Sequence, residues 1–473
     1  MMKIRPICLP CLVMIVILLS GCQGNTDTSL PLIVEPTLPA DLLTDEALII
    51  EPDPHALPEN EIWTAWIRAN HQPIRSLTSE HYNDLQFLKP LLAGRTLVQM
   101  GEPAHGVAEI NTMRVRLVKF LHEELGYDVI AFESGLFECY SINEVAGELT
   151  PTQMLAGSIF GIWHTTDMLP LFEYIQATQR TAQPLTLAGF DIQNSSFQTA
   201  SALRPQFLHD VVTQLDPTYA DQIYELDATF FTALADSGDD PLYWQKNSAQ
   251  FRAEYQTLLA FLDTHEEKLR QAFPQEAQTL AVARQVVWNI VRYSDFLQQV
   301  SDSAAMLAIR DVAMADNLDF LLHTLYPGKK IIVWAHNAHI RYNNQETQGN
   351  AFWLGRKTMG GWLNERYSDA VYTIGFYGYR GQIASNDRHA VDLPPVNRGS
   401  LESILYQAGR KYVFVELLHQ TPQDGNAWMF TPIQAGELTG EYEPITLTLR
   451  DQYDALVFID TVHPPEYLYG VDD

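Results

Sequence analysis

The chain is short of cationic residues and of cysteine. Lysine and arginine number 30 among 473 residues, against 58 aspartates and glutamates, for a formal net charge of −28. So anionic a chain has no electrostatic footprint for nucleic acid and gains nothing from an anionic membrane surface. The excess acid keeps it soluble and favours neutral or cationic ligands. There are only 4 cysteines. Cys8, Cys11 and Cys22 sit in the first 22 residues, which leaves Cys139 alone in the rest of the chain. No internal disulfide can form there, so stability must come from a packed core. Cys139 reads as a small buried hydrophobe rather than a nucleophile. Several catalytic signatures are also missing. There is no GxSxG elbow for a hydrolase serine, no HExxH, no Walker A loop and no GxGxxG. Serine-elbow and nucleotide chemistry lose their main support.

What the chain does have is apolar mass, 46% of its residues, enough for a large core. It opens MMKIRPICLPCLVMIVILLSGC. Lys3 and Arg5 precede an apolar run that is too short for a comfortable membrane span. LSGC, Leu19 to Cys22, resembles the lipobox of bacterial lipoproteins. That resemblance implies a signal peptide over 1–21 and a lipid on Cys22. It further implies export to the cell envelope, at the outer membrane or cell surface. An ordinary signal peptide or signal anchor is the alternative. Residues 22–59 carry Pro31, Pro36, Pro39, Pro52, Pro54 and Pro58 with several acids and no Lys or Arg, which reads as an extended tether. The folded domain is expected over 60–473.

Within it, short apolar runs alternate with amphipathic stretches. TLVQM (96–100), DVIAFE (128–133), LTLAGF (185–190) and KIIVWAH (330–336) read as buried strands. VYTIGFYGY (371–379), KYVFVELL (411–418) and ALVFIDT (455–461) follow. Ile110, Met113, Leu117 and Leu121 share one helical face. Strands this apolar, separated by helices, predict an α/β fold with a mostly parallel sheet flanked by helices. Residues 200–322 are helical in composition and poor in strand runs, so a large helical insertion is expected between the third and fourth strands.

The first four strands end alike. GEPAHG sets Glu102 and His105 after the first. Glu133 ends the second in FESG, Asp191 the third in GFDIQ, and WAHNAH sets His336 and His339 after the fourth. In open α/β sheets the carboxyl ends of the strands are where ligands bind. Each group alone has a plainer use. Glu102 could cap a helix, Glu133 could pair with Arg114, Asp191 could shape a turn, and the two histidines could merely share a helical face. Together they predict one active site. A histidine oriented by a carboxylate takes a proton from water near neutral pH. A second histidine and an arginine can hold an oxyanion. That chemistry is hydrolysis of an ester or amide without a covalent intermediate. The same groups could also ligate zinc or another divalent metal. A surface-anchored binding protein that uses the site without catalysis is the third reading.

GEPAHGVAE, Arg114, VIAFESG, GFDIQ, RDVAMADNL (310–318) and WAHNAHI, in this order and spacing, resemble the erythromycin esterase family. GIWHTTDM (161–168) and TIGFYGYRG (373–381) fit weaker segments of it. The resemblance covers roughly residues 60–465. It implies an α/β core with a helical subdomain and a deep cleft. It implies hydrolysis of a small-molecule ester or macrolactone with no cofactor. It makes His105 the general base, Glu102 its support, and Arg114 and Glu133 ordering residues. His336 and His339 match the WAHNxH histidines, with His336 expected nearer the chemistry. Asp191, Trp163 and His164 become supporting or substrate-binding residues. Export and lipid anchoring depart from the cytoplasmic setting that the resemblance implies.

Overall fold

Seven of the nine strands form the body of the main sheet in the computed structural model, which describes residues 38–469 except 239, 274–276, 350–353 and 439–441. They are β1 (Leu97–Met100), β2 (Tyr127–Gly135), β3 (Thr186–Asp191), β4 (Lys330–Trp334), β5 (Val371–Ala384), β6 (Tyr412–Glu416) and β7 (Ala455–Val462). Each coincides with one of the apolar runs. Their order across the sheet is β6-β7-β5-β1-β4-β2-β3. Every pair is parallel except β6 with β7. A two-residue strand, Gln72–Pro73, closes the β6 edge antiparallel.

Alternation explains why these runs are so uniformly apolar. Val129, Ala131, Ile331 and Val333 enter one core cluster. Their neighbours Ile130, Phe132, Ile332 and Trp334 enter the other. Successive side chains point to opposite faces, and here both faces are covered. The helix Ala108–Leu125 covers one face, burying Ile110, Met113, Leu117 and Leu121, and stops at Gly126, whose φ of 69° suits glycine. The other face receives the helices of the strand-poor region.

That region, expected as an insertion over 200–322, is six helices running from Phe197 to Phe320 between β3 and β4. Helices Pro217–Ser237 and Pro241–Thr264 each start with an aspartate cap, Asp216 or Asp240, followed by proline at the first helical position. The last helix of the region, Ser303–Phe320, is tied to the sheet by polar side chains, Asn317 among them. Asn317 donates to the Phe190 carbonyl at 2.8 Å and accepts from Gln285 at 2.7 Å, which locks this helix onto the end of β3.

Residues 40–59, expected to lie in an extended tether, are part of the fold instead. The chain from Ala40 onward belongs to one compact unit. Leu42, Leu48 and Ile50 are buried. Asp41 accepts from Ser79 at 2.6 Å, and Glu59 accepts from Ser403 at 2.6 Å and from the Gly399 amide at 2.7 Å. Proline and acid made residues 40–59 look solvated, but three aliphatic side chains anchor them. A chain starting at residue 40 should therefore unfold like the longer protein. One starting at residue 60 should lose roughly 4–9 kcal/mol, the worth of three buried aliphatic side chains. Urea unfolding of the two chains checks this, and equal midpoints would refute it. Residues 1–21 and Cys22 lie outside the described residues. Among the described residues no helix is long and apolar enough to cross a membrane.

Candidate active site

The sheet register brings the strand ends level. Met100, Phe132 and Trp334 are cross-strand partners on β1, β2 and β4. Glu102, Glu133 and His336 follow each by one or two residues, so they emerge at one edge. Gly101 is needed at this crossing, since a Cβ there would meet the Asn337 side chain at 2.0 Å.

Two hydrogen-bonded networks result. The first is built on Glu102, which is fully buried. One of its oxygens, Oε2, pairs with Arg114. The other accepts from His105 Nδ1 at 2.7 Å and from the Trp163 indole at 3.2 Å. Arg114 in turn sits over Trp334, its guanidinium carbon 3.6 Å from the ring centroid. A carboxylate held this way accepts only, so the Nδ1 of His105 donates the hydrogen, and the lone pair of a neutral ring lies on Nε2. That Nε2 has no hydrogen-bond partner among the described residues.

The second network is built on Arg310, from the helix Ser303–Phe320. Its guanidinium holds Asp191 through Nε at 2.9 Å and Nη2 at 2.5 Å, and holds Glu133 through Nη2 at 2.7 Å. Glu133 also faces His339 Nε2 at 3.2 Å. The other nitrogen of His339 donates to Asp311 at 2.7 Å. Burial opposes charge on His339, but Asp311 and Glu133 outweigh it and push the ring up to about 10. A protonated ring donates to both carboxylates, so the Arg310 Nη1 lying 3.2 Å from Nε2 is a neighbour, not a donor to it. Burial alone would raise Glu133. The positive charges of His339 and Arg310 prevail and hold it well below the usual carboxylate range.

His336 joins the two networks. Its amide donates to Glu133 at 3.0 Å. Its ring is 5.3 Å from that of His105. Both of its ring nitrogens are in use: Nε2 faces the Pro103 carbonyl at 3.1 Å, and Nδ1 accepts the Ala338 amide at 3.1 Å. Burial pushes this ring down to about 4. His336 is the histidine expected nearer the chemistry. Its nitrogens, however, fix the loop instead of reaching for a proton. The expected option of an Arg114–Glu133 pair is replaced: Arg114 serves Glu102, and Glu133 belongs to Arg310.

Trp163 supports Glu102 rather than presenting a surface to substrate, because it is fully buried with its indole on that carboxylate. His164, next to it, takes no part in either network. Its Nε2 bonds the Ile159 carbonyl at 3.0 Å, which explains its absence from the cluster. Asp191 is buried behind Arg310. The side chains that keep some exposure are His105 at 14%, Arg310 at 12% and His339 at 10%, so these three face outward. No three His, Cys, Asp or Glu groups among the described residues are disposed to hold a metal ion.

Comparison with known proteins agrees with this architecture. The family model described as erythromycin esterase matches residues 122–462. The chain belongs to the erythromycin esterase family. It is 33% identical to "Putative hydrolase YbfO" of Bacillus subtilis (strain 168), over 92% of this chain and 98% of that one. It is 24% identical to "Erythromycin esterase type II" of Escherichia coli, over 68% of this chain and 78% of that one. Among solved structures, a Bacillus cereus protein superposes with a TM-score of 0.73 at 21% identity, covering 87% of this chain and all of that one. A mutant of the erythromycin esterase EreC in its open conformation gives 0.62 at 16% identity, covering 85% of this chain and all of that one. Membership makes the chain a hydrolase of the esterase type.

Arg310 and Asp311 were not singled out as site residues in the sequence, although both open the family-like segment RDVAMADNL. The charge on His339 has a measurable consequence. An unfolded histidine titrates near 6.5 and this one near 10, so the folded state binds more protons between those values. Its contribution is complete below about pH 6.5 and is lost as pH rises to 10. His336, depressed to about 4, acts in the opposite direction: its share fades as pH falls from 6.5 to 4. His339→Gln should flatten the alkaline fall in stability. Urea midpoints measured from pH 5 to 10 decide it, and an unchanged alkaline slope would refute the assignment.

Proposed function

We propose that the chain hydrolyses a carboxylic ester, most naturally a macrolactone, with water activated by His105. The observation that carries this is the His105–Glu102 pair: Nδ1 is bound to a buried carboxylate at 2.7 Å, while Nε2 has no hydrogen-bond partner among the described residues. Nε2 takes a proton from water as the water oxygen bonds to the acyl carbon. The developing imidazolium is stabilised by Glu102. The carbonyl oxygen takes the electron pair and, on this reading, draws its stabilisation from Arg310 and protonated His339 on the exposed side of the second network. The intermediate then collapses. The acyl carbon–oxygen bond breaks, and the alkoxide takes the proton back from His105. No covalent enzyme intermediate and no cofactor is called for. A ring-closed ester gains one water and loses no fragment.

The test incubates the protein, after exhaustive chelation, with macrolides and simple esters and looks for that gain of one water by mass spectrometry. Product after chelation supports the reading. Activity that disappears on chelation and returns with zinc or manganese would overturn it in favour of a metal-bound water.

A further inference from the structure

Trp163 rides on a helical turn of only 3 residues, Gly161–Trp163. So short a turn has little rigidity of its own. Yet its indole stays on Glu102 at 3.2 Å, and its ring lies edge-on to His105 with centroids 5.1 Å apart. Part of what holds it comes from a distant hairpin. At its C-terminal end β5 folds back through residues 385–389 onto the strand Ala390–Asp392. Arg388 stands in that bend with a φ of 62°, and among the described residues it alone, glycines aside, has a positive φ. A side chain in this region is strained, and such strain persists where the surroundings impose it. Glycine would adopt the same backbone freely.

The guanidinium shows what the arginine does there. Nη2 donates to the Gly161 carbonyl at 3.0 Å, and Nη1 donates to the Tyr469 carbonyl at 3.1 Å. The guanidinium carbon lies 4.8 Å from the Tyr467 ring centroid. The Gly161 carbonyl already accepts the His164 amide at 3.0 Å, so Arg388 takes its second lone pair. The same hairpin grips the loop of the base. The Ala384 amide donates to the Gly106 carbonyl at 2.8 Å, and a Cβ on Gly106 would meet the Ala384 carbonyl oxygen at 2.5 Å. One hairpin thus holds the residue after His105 by its backbone and the turn of Trp163 by its arginine. The C-terminal segment completes the arrangement, since the Leu468 amide donates to the His164 carbonyl at 2.9 Å.

We propose that Arg388 is a positioning residue. It ties the Gly161 turn to the hairpin that also holds the His105 loop. It thereby keeps the Trp163 indole on Glu102 and fixes the carboxylate that orients His105. Its consequence for turnover rests on the hydrolytic reading, whereas the placement of Trp163 can be read without turnover.

Arg388→Gly tests this, because it removes the guanidinium and relieves the backbone at once. Hydrogen exchange of the Trp163 indole, followed by NMR in the isotope-labelled full chain and assigned with Trp163→Phe, should quicken at least about ten-fold in this variant. The unfolding temperature should hold, since the freed backbone offsets the lost contacts. Arg388→Lys, whose ammonium cannot reproduce the fork, should fall between. With para-nitrophenyl acetate, Arg388→Gly should lower kcat about ten-fold and leave KM nearly unchanged. His105→Ala should abolish that turnover but keep the slow indole exchange, which separates the two readings. Quickened exchange in Arg388→Gly supports the placement even where the parent leaves the ester intact, an outcome that would fault the hydrolytic reading instead. Parent-like exchange in Arg388→Gly would overturn the proposal. So would quickened exchange with a large fall in unfolding temperature, for Arg388 would then be a prop of the whole fold.

Discussion

His105→Ala should lower kcat by about a hundred-fold or more, with little change in unfolding temperature. The size follows from what a positioned base contributes to proton transfer. The small structural cost follows from the geometry. His105 makes its bond to Glu102 through Nδ1, but Glu102 keeps Arg114 and the Trp163 indole after the ring is gone. The imidazole is also partly exposed, so its removal opens no sealed cavity. Glu102→Gln is the informative partner. The amide can still accept from His105, yet it no longer balances the imidazolium, and it leaves Arg114 buried against a neutral group. Activity and stability should then fall together, whereas His105→Ala separates them. If His105→Ala lost only a few-fold in kcat, water activation would have to reside elsewhere.

The sheet was legible in the sequence because parallel strands buried on both faces leave continuous apolar runs. The polar residues at its edge were legible for a related reason: in a strand end that is otherwise all apolar, Glu102, His105, Glu133 and His336 stand out. Arg310 did not. It reaches Asp191 from 119 positions away, on a helix whose own pattern is ordinary. An arginine followed by an aspartate at mid-helix looks like a solvated face until tertiary structure turns it onto the sheet. The hairpin Ile433–Leu438 with Tyr442–Leu447 was equally silent, since its strands include Gly436 and Pro444 and carry Glu437 where a surface residue is expected. Neighbours in sequence also part company. Trp163 and His164 came as one motif, but only the first joins the site.

The second large effect concerns Arg310. Arg310→Met should cost about 3–5 kcal/mol, the usual result of removing one partner from a buried ion cluster. One fork compensates two carboxylates, Asp191 with its side chain fully buried and Glu133 at 4% exposure. Methionine fills much of the space but leaves both charges in a dry site, with only His339 to answer them. The pH dependence is the sharper signature. With Arg310 present, Glu133 is held well below its ordinary range, and that stabilisation persists above the carboxylate's unfolded pKa. Without it, burial dominates, and at least one carboxyl rises above its unfolded value. Protonation then relieves the folded state, so the variant should be less destabilised at pH 5 than at pH 8. Arg310→Lys should recover little, because a single ammonium cannot reproduce the three contacts of the guanidinium. Adding Asp191→Asn to Arg310→Met should restore part of the loss, since one orphaned charge is then gone. A deficit below about 1 kcal/mol, or one that grows as pH falls, would mean that the helix Ser303–Phe320 is held by Asn317 and its apolar face alone. Arg310 would then be free to act on substrate without carrying the fold.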